Sequence, residues 1–94
     1  MNFSDMIQGE NGLLVELRCD NTFNERIFTD IKKYIDENIP KWKESGHISI
    51  TDAVAIFNLI EQLCIGSRFW SEEIQLRVED AVLEIQDIIC TLEI

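Results

Sequence analysis

The chain has 94 residues, 46% of them hydrophobic, enough for one modest core and too few for two, so a two-domain enzyme is excluded. Eighteen acidic residues against eight basic ones give a net charge of -10, a negative potential that disfavours direct binding to nucleic acid. With 28% charged residues, one proline and four glycines, the composition is that of a folding chain, neither disordered nor fibrous.

In chain order, Leu13, Val15, Leu17 and Cys19 alternate like a strand, whereas Leu13, Leu14 and Leu17 suit a helix. No second strand candidate exists to pair with the first, and a lone strand leaves its backbone groups unbonded, so a short helix from about Asn11 to Arg18 is expected. The next helix starts near residue 22, where Thr22-Phe23-Asn24-Glu25 has the form of a capping box and Asn21 is an alternative cap. Phe23, Ile27, Phe28, Ile31, Tyr34, Ile35 and Ile39 recur at helical spacing along it, and it is expected to stop before Pro40. A connector from Lys41 to Ile50 follows, with Trp42 folded back on the core.

Ser49 or Thr51 caps a third helix whose body, Ala53 to Ile65, is apolar nearly all round, as for a central helix covered on several sides. Gly66 stands where a left-handed C-terminal cap is usual. Ser71 with Glu72 and Glu73 then opens a long helix to about Thr91, because a hydroxyl cap and two carboxylates satisfy the amides and dipole of a first turn. Ile74, Val78, Ala81, Val82, Ile85, Ile88, Ile89 and Leu92 form its apolar stripe. The expected fold is all-α, a compact bundle of about four helices in one domain, with an almost fully apolar central helix and a long amphipathic C-terminal helix.

That last helix and its end hold Glu72, Glu73, Glu79, Asp80, Glu84, Asp87 and Glu93 against Arg77 alone, which is most of the net charge. Like-charge neighbours on a helix cost about 0.2–0.5 kcal/mol per pair, so either the belt only keeps the chain in solution or it meets something positive. At 100° per residue, Leu76, Leu83 and Cys90 fall together opposite the main stripe, flanked by Glu72, Glu79, Asp80 and Asp87. An apolar line with a charged border has the anatomy of a protein interface, so Glu72, Leu76, Glu79, Asp80, Leu83 and Asp87 are the candidate partner-binding residues. The alternatives are that Leu76 and Leu83 pack on the N-terminal helix or the Trp42 connector, or that two copies meet through the stripe against the repulsion of its carboxylates. A monomer or weak dimer is expected for the free chain.

No catalytic constellation appears. His47 is the single histidine and sits in a connector without a nucleophile at motif spacing, and adjacent acids such as Glu79-Asp80 point in different directions from a helix. A calcium loop beginning at Asp20 fails because its sixth position is Glu25 and its twelfth Ile31. No serine stands in the Asp-Ser-Leu setting of an acyl carrier protein, and no glycine-rich phosphate loop is present. Cys19, Cys64 and Cys90 are odd in number and widely spaced, which argues against disulfides and a zinc site; Cys64 and Cys90 are expected to be small buried hydrophobes. A non-enzymatic chain with no cofactor and no metal is expected. The N-terminus lacks the basic and apolar regions of a signal peptide, and the longest apolar run, Ala53 to Phe57, cannot span a bilayer, so the expected place is the cytoplasm with no membrane contact.

Small size, acidity, a helical bundle and the lack of catalytic groups together resemble the small acidic immunity proteins that bacteria make alongside nuclease toxins, including those of contact-dependent inhibition. The resemblance is one of type over the whole chain. Tyr34 is the single tyrosine, so the paired tyrosine anchors of the colicin DNase immunity group are absent. The resemblance implies a toxin inhibitor that binds a basic protein partner, a nuclease toxin domain, and neutralises it by covering its active site or docking beside it. A nuclease needs a basic groove for its polyanionic substrate, and carboxylates can fill that groove. The rival expectation is a helical adaptor or chaperone for a secreted or regulatory protein, in which the apolar stripe dominates and charge serves only solubility.

Overall fold

The computed structural model describes residues 2–66 and 70–92, and these form helices without strands: α1 (Phe3–Gln8), α2 (Leu13–Asp20), α3 (Glu25–Ser45), α4 (Ile50–Ile65) and α5 (Glu72–Cys90). The all-α bundle is as expected, with one short helix, α1, in addition. Asn2 starts it by accepting a hydrogen bond from the Asp5 amide at 2.8 Å, and Phe3 and Ile7 bury its inner face. Helix α2 runs from Leu13 rather than Asn11 and ends at Asn21, whose left-handed backbone turns the chain.

The start of α3 differs from the capping-box expectation. Asn24 is the cap, its carboxamide oxygen accepting from the Ile27 amide at 3.1 Å while its nitrogen donates to Glu16 at 2.8 Å. Thr22 instead donates its hydroxyl to the Asp20 carbonyl. One carboxamide thus caps α3 and ties it to α2, which a threonine hydroxyl is too short to do.

Helix α3 also passes through Pro40 and continues to Ser45. The ring removes one donor, leaving the carbonyl of Asp36 without its usual partner, on a side of the helix where both residues are exposed. Beyond it, half-buried Trp42 packs on the core from a helical turn rather than from a connector. Gly46, at φ 73°, closes the helix by donating its amide to the Trp42 carbonyl at 2.9 Å.

The core is built from one face of every helix: Ile7 of α1, Leu13 and Leu17 of α2, Phe28, Ile31 and Ile35 of α3, Leu59 and Leu63 of α4, and Val78 and Ile85 of α5 are buried. Each such side chain contributes about 1.5–3 kcal/mol on burial, against about 0–1 kcal/mol for an exposed ion pair, so apolar packing holds the bundle. Helix α4 touches α1, α2 and α5, and its Asp52 accepts a 2.9 Å hydrogen bond from Tyr34 of α3. Tyr34 also stacks on Phe3, with ring centroids 4.3 Å apart, so one phenol joins three helices.

Three local expectations are corrected. Gly66 is right-handed, at φ -77°, and its lack of a side chain instead admits the Trp70 indole, which a Cβ would meet at 2.7 Å. All three cysteines are exposed, because the rotation of each helix turns them outward whatever their preference for burial. Finally, α4 is not covered all round: Ile50, Val54, Phe57 and Ile65 face solvent.

Candidate protein-binding site

Helix α5 begins at Ser71, whose hydroxyl accepts from the Ile74 amide at 3.3 Å. Val78, Ala81, Val82 and Ile85 are buried, with Ile74, Ile88, Ile89 and Leu92 packed partly against the core. That orientation leaves the opposite side free. Leu76 and Leu83 are each 58% exposed, and Cys90 is exposed in the same line. With that exposure, Leu76 and Leu83 are not part of a second buried face. Glu72, Glu79, Asp80 and Asp87 are exposed around them. All six candidate residues therefore share one ridge, while Glu93 lies outside the described residues.

The ridge separates two open grooves. On the α4 side, Glu79 and Leu83 line a largely apolar groove of about 360 Å³ with Leu63, Cys64, Val78 and Val82. On the α3 side, Leu76 and Asp80 line a groove of about 630 Å³ that reaches Phe23, Glu25 and Arg77. The site is thus wider than the single stripe read from periodicity. Leu63 and Cys64 of α4, and Phe23 from the turn before α3, were hidden from that reading because they come from other helices.

The electrostatics follow from where Arg77 points. Its Nε and Nη2 donate to Glu25 at 2.6 and 2.8 Å, and its Nη1 donates to Glu84 at 2.9 Å. The guanidinium carbon lies 4.9 Å from the Phe23 ring centroid and 5.2 Å from that of Phe28, within cation-π range. Lys32 of α3 completes the cluster with a 3.1 Å pair to Glu84 and a 4.8 Å approach to the Phe28 ring. The hydrogen bonds from Arg77 hold the Glu25 and Glu84 carboxyls below their usual value of 4.5, outweighing desolvation, and its pairs push the guanidinium further up.

The belt of α5 is therefore split in two. Glu84 is neutralised at the α3 seam together with the helix's single cation. Among the described residues, no ion pair reaches Glu72, Glu79, Asp80 or Asp87. Such a surface can steer and hold a cationic protein, with Leu76 and Leu83 as apolar anchors.

His47 is exposed in the turn before α4, where its amide and carbonyl bond the Ser45 hydroxyl. No cluster of three potential metal ligands occurs among the described residues, and no described helix is long and apolar enough to cross a membrane. Comparison with known proteins gives no match: no family model, no curated protein and no solved structure is significantly similar to this chain.

Proposed function

We propose that this chain is a bacterial immunity protein that binds a basic nuclease toxin domain and neutralises it through the acidic ridge of α5. The observation that carries the reading is the inward turn of Arg77, which leaves Glu72, Glu79, Asp80 and Asp87 around exposed Leu76 and Leu83 with no cation of their own helix among them. A nuclease groove made for phosphates offers the complementary lysines and arginines. On this reading the chain acts by stoichiometric binding in the cytoplasm and not by turnover. The toxin's cations meet Glu72, Glu79, Asp80 and Asp87, and its apolar residues settle on Leu76 and Leu83.

The test is protection. Cells expressing the basic C-terminal domain of a secreted protein encoded beside this chain should survive when the chain is co-expressed. Survival should be lost with Glu79→Lys, Asp80→Lys and Asp87→Lys combined. Full protection by the triple variant would remove α5 from the interface, and absence of protection by the unaltered chain would remove the reading.

A second reading, a helical adaptor for a secreted or regulatory protein, is favoured by the outer face of α4, where Phe57 is 64% exposed beside Val54 and Ile50. An apolar face of this kind binds with little dependence on salt, whereas a charge-steered toxin complex associates more slowly as ionic strength rises.

A further inference from the structure

We propose that the groove between α4 and α5 takes a single bulky apolar side chain of a basic protein partner, standing beside a lysine or arginine that Glu79 holds. Such an anchor rests on the proposed function, in which α5 meets a basic protein. Buried Leu63, Val78 and Val82 form the floor of the groove and exposed Cys64 and Leu83 its walls, around a volume of about 360 Å³. Glu79 is the one charged residue among the described residues that line it. On the other side of the ridge the groove is lined by Glu25, Glu73, Arg77 and Asp80, whose loss of water against an apolar side chain is costly, so the anchor belongs on the α4 side.

Charge and shape select that occupant. Among the described residues no ion pair reaches Glu79, so its carboxylate is open to a cation at the mouth of an otherwise uncharged groove. A free small molecule needs most of its surface enclosed, whereas this groove is open and leaves the far side of an occupant for the rest of a partner protein to cover. A second copy is disfavoured by like charge. Phe57, the one exposed aromatic ring among the described residues, has Glu61 one turn further on and would bring that carboxylate to Glu79.

The spacing on α5 sets the spacing on the partner. Glu79 precedes Leu83 by one helical turn, which places their Cβ atoms about 5–6 Å apart. The partner therefore carries its cation and its apolar anchor at about that separation, as residues one turn apart on a helix or two apart on a strand do. A large side chain in a desolvated pocket with a charge at its edge is the usual form of an interface hot spot, and the surrounding carboxylates then serve to steer. Leu83, a wall of this groove, matters more for affinity than Leu76, which lines the charged groove on the α3 side.

Two lysine-rich helical peptides test this without any toxin. One carries a single tryptophan four residues from a lysine, the other has alanine in its place, and both are titrated into the isotope-labelled chain at physiological ionic strength. The tryptophan peptide is expected to bind at least tenfold more tightly, with the largest amide shifts at Leu63, Cys64, Val82 and Leu83. Added sodium chloride should weaken both peptides and leave their ratio intact, because the anchor is apolar. Cys64→Trp, at an exposed position, fills the groove without altering charge and should erase the preference while the melting temperature holds. In the unaltered chain the tryptophan peptide should slow alkylation of Cys64 more than that of Cys19, a readout that needs no variant. Equal affinities of the two peptides, shifts that avoid the groove, or a preference that survives in folded Cys64→Trp would each overturn the anchor. Failure of the toxin reading shows separately, as a chain that prefers the tryptophan peptide and yet protects cells against no nuclease domain.

Discussion

Arg77 and Glu25, on α5 and at the first position of α3, are joined by two parallel hydrogen bonds of 2.6 and 2.8 Å, a fork that ties α5 to the start of α3. Because the guanidinium also covers the Phe23 and Phe28 rings, its loss removes packing as well as charge. An exposed pair gives about 0–1 kcal/mol and a cation-π contact about 0.5–1, so Arg77→Met should cost about 1–2 kcal/mol. In a domain of this size that is a fall in melting temperature of about 4–16 °C, read by circular dichroism.

The same cluster makes a prediction about pH. Glu25 and Glu84 are depressed below 4.5, chiefly by the hydrogen bonds from Arg77. A carboxyl with a lowered folded pKa adds stability that is complete above its unfolded value and is lost as pH falls through the folded one. The gap in melting temperature between the unaltered chain and Arg77→Met should therefore be full at about pH 6 and narrow towards about pH 3. At the alkaline end the sign reverses for Tyr34, raised above 10.0 first by burial and then by its bond to Asp52. Its stabilising contribution is complete below pH 10.0 and is lost as pH rises through the folded value, a loss that Tyr34→Phe should abolish.

Leu83 and Ile85 are two residues apart and differ in what they serve. Leu83 faces solvent and Ile85 is fully buried. Leu83→Ala should leave stability within about 0.5 kcal/mol, whereas Ile85→Ala should cost about 2–5 kcal/mol. In partner binding the order inverts for folded protein: Leu83→Ala should weaken the complex by at least tenfold. Denaturant unfolding and calorimetric titration of one sample separate the two effects.

Pro40 interrupts the hydrogen-bond ladder of α3 on its exposed side. Alanine restores the donor and the better propensity, worth up to about 3 kcal/mol in a helix interior, while the unfolded chain regains entropy worth about 0.4–1 kcal/mol. Pro40→Ala should therefore raise stability by about 1–2 kcal/mol. A lower melting temperature would contradict this.

Helix α5 is legible in the sequence because several local rules agree there: Ser71 as cap, Glu72 and Glu73 in the first turn, and an apolar stripe of unbroken period. Pro40 is where a strong local rule loses, since Trp42 packing and the Gly46 cap carry α3 past it. The apolar sequence of α4 fits a helix buried on all sides or one with a bare face. Too few helices are present to cover it, and that is a property of the assembled bundle. The cysteines follow the rotation of their helices rather than a type preference. The Arg77–Glu25 fork joins residues 52 positions apart, so no local pattern announces it, although it decides which carboxylates of α5 stay unpaired.

The most direct test of the acidic ridge is the association rate with a basic nuclease domain against which the chain protects cells, followed by stopped flow as sodium chloride is raised. If α5 meets the toxin, the rate falls at least tenfold between low and physiological salt, and Glu79→Lys, Asp80→Lys and Asp87→Lys together slow it and flatten that dependence without lowering the melting temperature. Equal rates and equal salt slopes for the triple variant and the unaltered chain would contradict it.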